Sequence, residues 1–487
     1  MKKHLLLTPL IFFVTIASQA QWQPDVRLTN DPSSSRTSLN GARCIAASGD
    51  IVHVVWVECR DGNEEIYYKR SINAGISWET DKRLTVNSAS SVDPSIAVFG
   101  SVVHIVWRDH RDVNPAIYYK RSEDGGISWG GDKRLTNIPS NSVHPSVSVY
   151  GLDIHVVWEE GREGTWKIYY KRSIDGGLTW GKDTPLTFDP SGSVCPSVAV
   201  FGSTVHVVWC DFRSWLYGEI YYKRSTDRGT SWGADTRLTI GPFGAGYPTV
   251  SAFGSTVQVV WNDYRDGANS EIYHKRSIDG GTSWEADSRL TNALDNSFYP
   301  SVSSSGLNVH VVWYDRRDGN HEIYYKRSTT EGLNWETDKR LTVNSSSGMP
   351  HIAVSGSVVH VVWLDIRNGN DEIYYKRNPM GSLNKSVNPI EIQPETNSIP
   401  MEYSLEQNYP NPFNPSTTIK FALPVEENVV INVSDITGKQ VAELLNQKMQ
   451  AGYHEIKFDG SNLSSGVYFY KITTSGFTDV KKMILVK

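Results

Sequence analysis

The sequence predicts an all-β fold: a seven-bladed β-propeller followed by a small C-terminal antiparallel β-sandwich. A motif resembling Val-His-Val-Val-Trp recurs at intervals of 50 to 52 residues. Its Trp falls at seven positions: Trp56, Trp107, Trp158, Trp209, Trp261, Trp313 and Trp363. A repeat of this length, made of short strands separated by turn residues, is typical of propeller blades. The many Trp, Tyr and Gly residues also favour strands and turns.

Each repeat contains four predicted strands. Examples of the first and second strands are residues 196–200 and the motif strand that ends at Trp209. Examples of the third and fourth strands are residues 323–327 and the Arg-Leu-Thr segment at 340–342. The motif strand is apolar at nearly every position rather than at alternate positions. That pattern favours a strand buried on both faces, as in a blade packed between two others.

The ring is predicted to close through the N-terminus. The seventh unit lacks an Arg-Leu-Thr segment after residues 373–377, and an additional one is present at residues 27–29. We expect this N-terminal strand to complete the last blade, because pairing the two ends removes exposed sheet edges. An open solenoid is the alternative.

The flanking segments predict export. Residues 1–20 have Lys2 and Lys3, an apolar stretch at 5–16 and small residues near Ala20, and are predicted to be a signal peptide. An uncleaved anchor is the alternative. The expected order is then the propeller at 21–378, a polar linker at 379–402 and the sandwich at 403–487. No transmembrane segment is expected in the mature chain, and the net charge of −5 argues against a nucleic-acid partner.

The turns between third and fourth strands resemble a known motif. Residues 122–129 read Ser-Glu-Asp-Gly-Gly-Ile-Ser-Trp, with similar stretches at 173–180, 225–232 and 277–284 and degenerate copies around Asn73 and Thr330. They resemble the Asp-box, or BNR repeat, of sialidase-like propellers, over residues 25–378. The resemblance implies that the box is a structural turn away from the active face. That family includes sialidases, lectins and non-catalytic propellers.

The C-terminal region resembles the sorting domain of the type IX secretion system. The matching pieces are the Asn-Pro-rich start at 408–415, and residues 435–439, 451–454, 463–468 and 482–487. The resemblance implies export across an outer membrane, with the secretion machinery as a partner, and a location at the cell surface or outside the cell. A carbohydrate-binding or immunoglobulin-like module is the alternative.

One candidate site is a ring of acid-x-Arg motifs that follow the second-strand Trp. The Arg residues are Arg60, Arg111, Arg162, Arg213, Arg265, Arg317 and Arg367. They are candidates for binding sugars or carboxylates, because a guanidinium donates paired hydrogen bonds. An ion pair that pins each loop is the simpler interpretation, since every Arg carries its own acid. Seven equivalent sites would suit a multivalent lectin better than an enzyme.

A second candidate site varies from blade to blade. The residue before the first strand is Asp93, His144, Cys195, Tyr247, Tyr299 or Met349, and Arg43 replaces the usual Pro in the first blade. Asp93 is a candidate acid, Tyr247 and Tyr299 are candidate nucleophiles, and Arg43 is a candidate carboxylate anchor, as sialidase chemistry would need. Drift of a repeat around a solvent-filled mouth is the alternative. The Arg-Ile-Pro motif of sialidases is absent, and those enzymes are typically six-bladed.

Further features concern aromatic, His and Cys residues. Trp166 and Trp215 interrupt the repeat and are candidates for stacking on sugar rings, with packing between loops as the alternative. His144 is a further candidate for ligand binding. The repeated second-strand His, as in His53, is expected to form a hydrogen bond between blades rather than a metal site.

Cys195 and Cys210 are predicted to face each other across a hairpin and are a candidate disulfide. No metal and no cofactor are expected.

These observations predict a secreted or surface propeller that binds glycans or other extracellular polymers. A sialidase-like glycoside hydrolase acting at the central mouth is one alternative. A non-catalytic scaffold for protein interactions is the other.

Overall fold

The computed structural model describes most of both predicted domains. The described residues are 22–38, 42–137, 139–162, 164–213, 217–267, 269–343, 346–381 and 403–486, without 406, 409–410, 424 and 475–476. The predicted signal peptide and nearly all of the predicted linker lie outside them. The chain divides into two compact units, Met1–Asn384 and Lys385–Lys487.

Seven antiparallel sheets form the first unit within the described residues, and the helix-free pattern confirms an all-β fold for that part of the chain. We number these blades 1 to 7 in the order of their second-strand Trp residues, from Trp56 to Trp363. Inner strands of successive blades contact each other, and the inner strand of blade 7 contacts that of blade 1. The sheets therefore form a closed ring, which confirms the predicted propeller.

Each blade consists of an inner, a second, a third and an outer strand. The inner strands are Ser35–Arg36 with Ile45–Ser48 in blade 1, then Ser91–Phe99, Ser142–Tyr150, Ser193–Phe201, Ala245–Phe253, Ser297–Ser305 and Ser347–Ser355. The second strands are Ile51–Glu58, Val102–Asp109, Asp153–Arg162, Thr204–Asp211, Thr256–Asp263, Asn308–Asp315 and Val358–Asp365. The third strands are Glu65–Ser71, Ala116–Ser122, Thr165–Ser173, Glu219–Ser225, Glu271–Ser277, Glu322–Ser328 and Glu372–Asn378. The outer strands are Lys82–Arg83, Lys133–Arg134, Thr184–Pro185, Thr236–Arg237, Ser288–Arg289, Lys339–Arg340 and, for blade 7, Val26–Arg27.

The second strands form the core between blades. Their Trp residues are fully buried, as are most of the Val and Ile residues on both faces of each strand. In blade 2, for example, Val103, Ile105 and Trp107 pack in one cluster with Val55 and Tyr68 of blade 1. The continuous apolar pattern of these strands therefore reflects burial on both faces.

The N-terminus closes the ring as predicted. Val26 pairs with Tyr375 and Arg27 with Tyr374, antiparallel to the third strand of blade 7. The Leu28 amide then donates to the Ile373 carbonyl at 2.8 Å. The last blade is thus completed by residues from the opposite end of the propeller sequence.

The same N-terminal segment contributes more than a strand. Trp22 packs edge-on against Tyr325 of blade 6, with 4.9 Å between ring centroids, as the Asp-box Trp of each other blade packs on the preceding blade. Asp25 binds Arg367 at 2.7 Å and Lys376 at 2.8 Å. Residues 22–29 read Trp-x-x-Asp-x-Arg-Leu-Thr, the pattern of residues 129–136. The sequence analysis recognised only its last three residues.

The Asp-boxes join neighbouring blades. In blade 2, Ser128 N and Ser122 Oγ donate to Asp124 Oδ1 at 2.8 Å each, and Gly126 N donates to Ser122 Oγ at 2.8 Å. Gly126 has φ +86° and lies so close to Tyr68 of blade 1 that a Cβ would overlap the Tyr hydroxyl. The box therefore holds a glycine against the preceding blade.

The repeated second-strand His forms its hydrogen bond inside its own blade, so the prediction of a between-blade bond is wrong. His53 Nδ1 lies 2.7 Å from Tyr68 Oη, both in blade 1. Burial lowers the pKa of His53 to about 3, so the imidazole is neutral. Contact with the next blade is made by the Tyr ring, which packs under the glycine of the next Asp-box.

The second unit contains two sheets around one core. Its strands are Ser404–Leu405, Ser416–Leu423 and Gly452–Asp459 in one sheet, and Gln440–Met449, Glu427–Asp435, Gly466–Thr473 and Thr478–Leu485 in the other. Both sheets bury side chains in a common cluster that includes Ile419, Phe421, Ile431 and Tyr470. The sequence pattern predicts five strands here, at 418–421, 429–435, 454–458, 467–473 and 481–486. All five are present, and Ser404–Leu405 and Gln440–Met449 are additional.

Candidate functional site

The mouth of the propeller lies where inner strands begin and second strands end. Ser91 pairs with Asp109 and Val92 with Arg108, and then the register shifts before Ser95 pairs with Val106. Blades 3 to 7 show the same shift. The inner strands thus begin three residues earlier than predicted. The variable residue is not ahead of the strand but inside a β-bulge.

The bulged residue has an unusual backbone in six blades. The φ values lie between +49° and +55°, for Asp93, His144, Cys195, Tyr247, Tyr299 and Met349. Residues other than glycine are uncommon in this region, because the Cβ crowds the backbone. Glycine would adopt it more readily. Six of the seven blades therefore hold a strained residue at the mouth, and such strain is common at functional sites.

A second variable ring, which the sequence analysis missed, faces the first. It is the residue between the second-strand Trp and the acid, namely Val57, Arg108, Glu159, Cys210, Asn262, Tyr314 and Leu364. In blades 2, 3 and 6 this residue contacts the bulged residue of its own blade. The signal was present in the sequence, because this single position varies inside an otherwise constant Trp-x-acid-x-Arg motif.

Blades 2 and 3 give the mouth an ionic side. Arg108 Nη2 lies 2.9 Å from Asp93 Oδ2, and His144 Nδ1 lies 2.9 Å from Glu159 Oε1. His144 Nε2 is 3.9 Å from Asp93, and the Cys195 amide donates to Glu159 at 2.7 Å. Burial acts to lower the pKa of His144, but hydrogen bonding to Glu159 and the nearby carboxylates raise it overall.

Blades 5 and 6 give the mouth an aromatic side. The rings of Tyr247 and Tyr299 lie 4.4 Å apart, and Tyr299 stacks on Tyr314 at 5.7 Å. Phe298 lies against both Tyr314 and Tyr264. Burial, followed by the hydrogen bond with Tyr299, raises the pKa of Tyr247, so its hydroxyl is neutral. The structure therefore brings the two candidate Tyr nucleophiles together without a carboxylate bonded to either of them among the described residues.

A pocket opens between blades 4 and 5 beside this aromatic side. Its volume is about 310 Å³. Cys195 and Tyr247, from two adjacent bulges, form part of its wall. The pocket is therefore bounded both by the thiols of blade 4, Cys195 and Cys210, and by the aromatic side of the mouth.

Arg43 lies in the central channel rather than on the rim of the mouth. Its Nη2 donates to the Val250 carbonyl of blade 5 at 2.9 Å and lies 3.5 Å from the Val302 carbonyl of blade 6. A cavity of about 130 Å³, walled by inner strands, adjoins it. Desolvation lowers the pKa of Arg43 to about 10, so it stays charged at neutral pH. The candidate carboxylate anchor thus crosses the ring and binds backbone carbonyls.

The ring of acid-x-Arg motifs forms a repeated contact network within each blade. In blade 2, Arg111 binds Asp109 through Nε at 2.8 Å and Nη2 at 2.6 Å, and Asp132 through Nη1 at 2.8 Å. It also lies over the Tyr118 ring at 4.4 Å, and Trp107 Nε1 donates to Asp109 at 2.8 Å. The guanidinium groups already bind acids of their own blades, which favours the ion-pair interpretation.

Blade 3 departs from this network. Arg162 lies 3.7 Å from Asp183 and 4.1 Å over the Tyr169 ring. The second and third strands continue further here, because Arg162 pairs with Thr165 and Gly161 with Trp166. Trp166 packs against Gly161 and remains 36% exposed. Trp215, the other candidate for stacking, lies outside the described residues.

The candidate disulfide is not formed in this structure. Cys195 and Cys210, like Cys44 and Cys59, are free thiols. The bulge explains the difference from the prediction, because Cys210 pairs directly with Val194 and Cys195 is displaced into the bulge. Burial raises the pKa of Cys210 to about 12 and that of Cys195 well above the ordinary value.

Metal ligation and membrane insertion have no structural counterpart in the described part of the chain. No cluster of three His, Cys, Asp or Glu side chains there is arranged to hold a metal ion. Likewise, none of the described residues form a helix with the length and hydropathy needed to cross a bilayer.

Comparison with solved structures relates the fold to other propellers. The polysaccharide lyase Uly1 is similar at a TM-score of 0.51 and 10% identity, over 73% of this chain and 99% of that chain. A protein of unknown function from Dyadobacter fermentans has a TM-score of 0.44 and 15% identity, over 59% and 94%. Trypanosoma rangeli sialidase has a TM-score of 0.42 and 13% identity, over 83% and 85%. The likeness to Uly1 concerns the fold.

Comparison with protein families concerns the C-terminal unit. No curated protein sequence matches the chain significantly. Residues 407–487 match the family described as the secretion system C-terminal sorting domain. This match confirms the resemblance seen in the sequence and indicates export to the cell surface or beyond. The chain is therefore a β-propeller that carries a C-terminal sorting domain of the type IX secretion system.

Proposed function

We propose that the exported propeller binds glycan chains of extracellular polymers at its mouth. The observation that carries this proposal is the aromatic side of the mouth, where Tyr247, Tyr299 and Tyr314 form a continuous set of ring contacts. Aromatic faces bind the C–H faces of sugar rings, and Tyr hydroxyls add hydrogen bonds. Tyr247 and Tyr299 are presented from strained bulges, which supports a role beyond packing.

Binding without cleavage is favoured by the state of the candidate nucleophiles. A Tyr nucleophile needs a neighbouring base or a lowered pKa. Tyr247 has a raised pKa, and its hydrogen-bond partner is another Tyr. Arg43, which would anchor a carboxylate, is directed to backbone carbonyls inside the channel. Among the described residues, neither Tyr247 nor Arg43 is therefore placed as sialidase chemistry would need.

The test measures glycan binding by the purified chain and by a double variant, Tyr299→Ala with Tyr314→Ala. We expect wild type to bind a subset of polysaccharides on a glycan array and the double variant to lose at least about tenfold in affinity, or about 1.4 kcal/mol. The matched control is Met349→Ala with Leu364→Ala, the same two positions in blade 7, which should bind like wild type. Absence of binding to every glycan, or unchanged binding by the double variant, would refute the proposal.

A glycan-cleaving activity on the ionic side is the second candidate. Asp93, His144 and Glu159 converge there beside Arg108, and paired acids with a polarised His can act in proton transfer. Its test is release of reducing ends or unsaturated products from a panel of polysaccharides. Activity that His144→Gln and Asp93→Asn both abolish supports this candidate. A panel that stays intact from pH 5 to 9 removes it.

A further inference from the structure

The pocket between blades 4 and 5 has walls of a particular chemistry. Five aromatic side chains line it, namely Phe212, Tyr217, Phe243, Tyr247 and Tyr264. Tyr217 and Phe243 are 52% and 51% exposed, so they stand at its rim, whereas the other three are half-buried. Large aromatic surface left in contact with solvent beside a concave site is a common mark of ligand binding.

One buried polar group on the wall of this pocket has no hydrogen-bond partner. Asn262 is 2% exposed, and no described group donates to its Oδ1. A buried carbonyl oxygen left without a donor destabilises the fold, because it has lost hydration without gaining a hydrogen bond. Its position is held by the second strand of blade 5, where Asn262 pairs with Gly246 and Ile272. A ligand that brings a donor into the pocket would remove this cost.

The described lining of the pocket carries no charge. It contains no Asp, Glu, Lys or Arg. Burial raises the pKa of both Tyr247 and Tyr264 above the ordinary value, so both hydroxyls are neutral at physiological pH. The thiols of Cys195 and Cys210 are neutral for the same reason. A carboxylate or sulfate placed here would lose hydration without gaining a counter-charge, which is strongly unfavourable.

The volume limits the size of what the pocket can enclose. About 310 Å³ is at the small end of ligand pockets, which span about 300–1,000 Å³. A single ring of a polymer fits this scale, and the rest of the polymer would continue across the aromatic side of the mouth.

We propose that this pocket binds one uncharged pyranose unit of a glycan. The sugar ring stacks on the aromatic walls, and one of its hydroxyl groups donates to Asn262 Oδ1. This inference rests on the proposed glycan-binding function and narrows it to neutral sugars. It therefore argues against sialic acids and uronic acids as occupants of this position.

The test replaces Asn262 by Leu, which has a similar shape and no polar atom. Binding is followed by saturation-transfer NMR and calorimetry with methyl glucoside, methyl galactoside, methyl mannoside, cellohexaose, laminarihexaose and mannohexaose. Sialyllactose and trigalacturonic acid are the charged probes. We expect wild type to bind at least one neutral probe and neither charged probe, and Asn262→Leu to lose at least about tenfold in affinity.

The thermal midpoint separates ligand binding from a structural role. Because Asn262→Leu removes an unpaired buried polar group, its midpoint should equal or exceed that of wild type while binding is lost. Leu364→Ala, at the same position in blade 7, is the control that should keep wild-type binding. If Asn262→Leu fails to fold, Phe243→Ala at the exposed rim replaces it, with the same expected loss.

The outcomes separate this inference from the function on which it rests. If wild type binds glycans but Asn262→Leu and Phe243→Ala bind them equally well, this inference is wrong and the general function stands. Preference of wild type for the charged probes also overturns it. If wild type binds no glycan of any kind, both proposals fall.

Discussion

In blades 2, 3 and 6 two mouth residues of the same blade contact each other, and their chemistry is matched. Asp93 faces Arg108 in blade 2, and Tyr299 faces Tyr314 in blade 6. Together with the aromatic loop residues of blades 4 and 5, these pairs distinguish one sector of the mouth from another.

The pair in blade 3 gives the first prediction. Glu159→Gln keeps the hydrogen-bonding shape but removes the carboxylate that counteracts the burial of His144. The pKa of His144, raised in wild type, should then fall below its ordinary value of 6.5, because burial disfavours the charged imidazole. Titration of the His144 ring protons by NMR measures this pKa directly. A His144 pKa that remains above 6.5 in Glu159→Gln would show that Glu159 is not what raises it.

The same pair predicts the direction of a pH dependence of stability. A group whose pKa is raised on folding stabilises the protein fully below its unfolded pKa, and this contribution is lost as the pH rises through the folded pKa. Wild type should therefore lose a small increment of unfolding free energy above pH 6.5 that His144→Gln lacks. Urea denaturation of both proteins from pH 5 to pH 8 measures it, and parallel profiles would disprove it.

Two adjacent glycines of one Asp-box give the next prediction. Gly125 and Gly126 have φ +68° and +86°, so Ala at either position incurs about 1–2 kcal/mol of backbone strain. A Cβ at Gly125 would meet Ile51 at an ordinary 3.6 Å, whereas a Cβ at Gly126 would overlap Tyr68. Gly126→Ala should thus destabilise by about 1–3 kcal/mol more than Gly125→Ala in urea denaturation. Equal losses would show that the contact between the blades is not tight.

Within an element, blade 5 shows a compensated exchange. Six blades pair a second-strand His with a third-strand Tyr, but blade 5 pairs Gln258 with His274, with 2.6 Å between Gln Oε1 and His Nε2. Gln258 Nε2 also donates to the Glu331 carbonyl of the next Asp-box at 3.0 Å. In blade 5, Gln258 thus replaces the His of the second strand, and His274 replaces the Tyr of the third strand.

This exchange predicts strong coupling between the two positions. Gln258→His and His274→Tyr should each destabilise, because each leaves a mismatched pair beside Gly332. The double variant recreates the pair found in the other blades and should recover most of the loss, with a coupling energy of about 0.5–3 kcal/mol. A double-mutant cycle from urea denaturation measures it. Additive losses would mean that the two side chains act independently.

Strand prediction succeeded where the residues are β-branched and failed at one edge of the C-terminal sandwich. The strand Gln440–Met449 reads Gln-Val-Ala-Glu-Leu-Leu-Asn-Gln-Lys-Met, a composition with low strand propensity. It forms because it pairs along most of the neighbouring strand Glu427–Asp435, with two register shifts. Tertiary pairing decides such a segment, so its own residues do not reveal it.

On the scale of the whole molecule, the closure depends on one aromatic residue near the predicted start of the mature chain. Trp22→Ala should destabilise the propeller by about 3–5 kcal/mol, because Trp22 is buried against Tyr325 of blade 6. Trp166→Ala removes an equally large side chain that is 36% exposed, so it should destabilise clearly less than Trp22→Ala. Urea denaturation compares the two variants. Similar small losses for both would show that Trp22 does not stabilise the closure.

The ring could be predicted from the sequence. Seven copies of the Trp motif predict seven blades, and the additional Arg-Leu-Thr segment predicts that the N-terminus closes the last blade. The site could be predicted only in part. The variable bulge residues were recognised, whereas their partners, such as Glu159 and Asn262, were not. Which of two adjacent positions faces the mouth depends on the bulge, and a bulge shifts the strict alternation of faces that sequence reasoning assumes.

The N-terminal strand also brings the two ends of the propeller sequence together. Gln23 N donates to the Arg377 carbonyl at 2.9 Å, so the chain enters and leaves the ring through blade 7. A short peptide could join residue 381 to residue 22, with new termini opened at the exposed turn of Gly202 and Ser203. Such a circular permutant would have the same seven sheets with every blade continuous in sequence except the one that is cut. The choice of where this ring begins is then a property of the gene rather than of the fold.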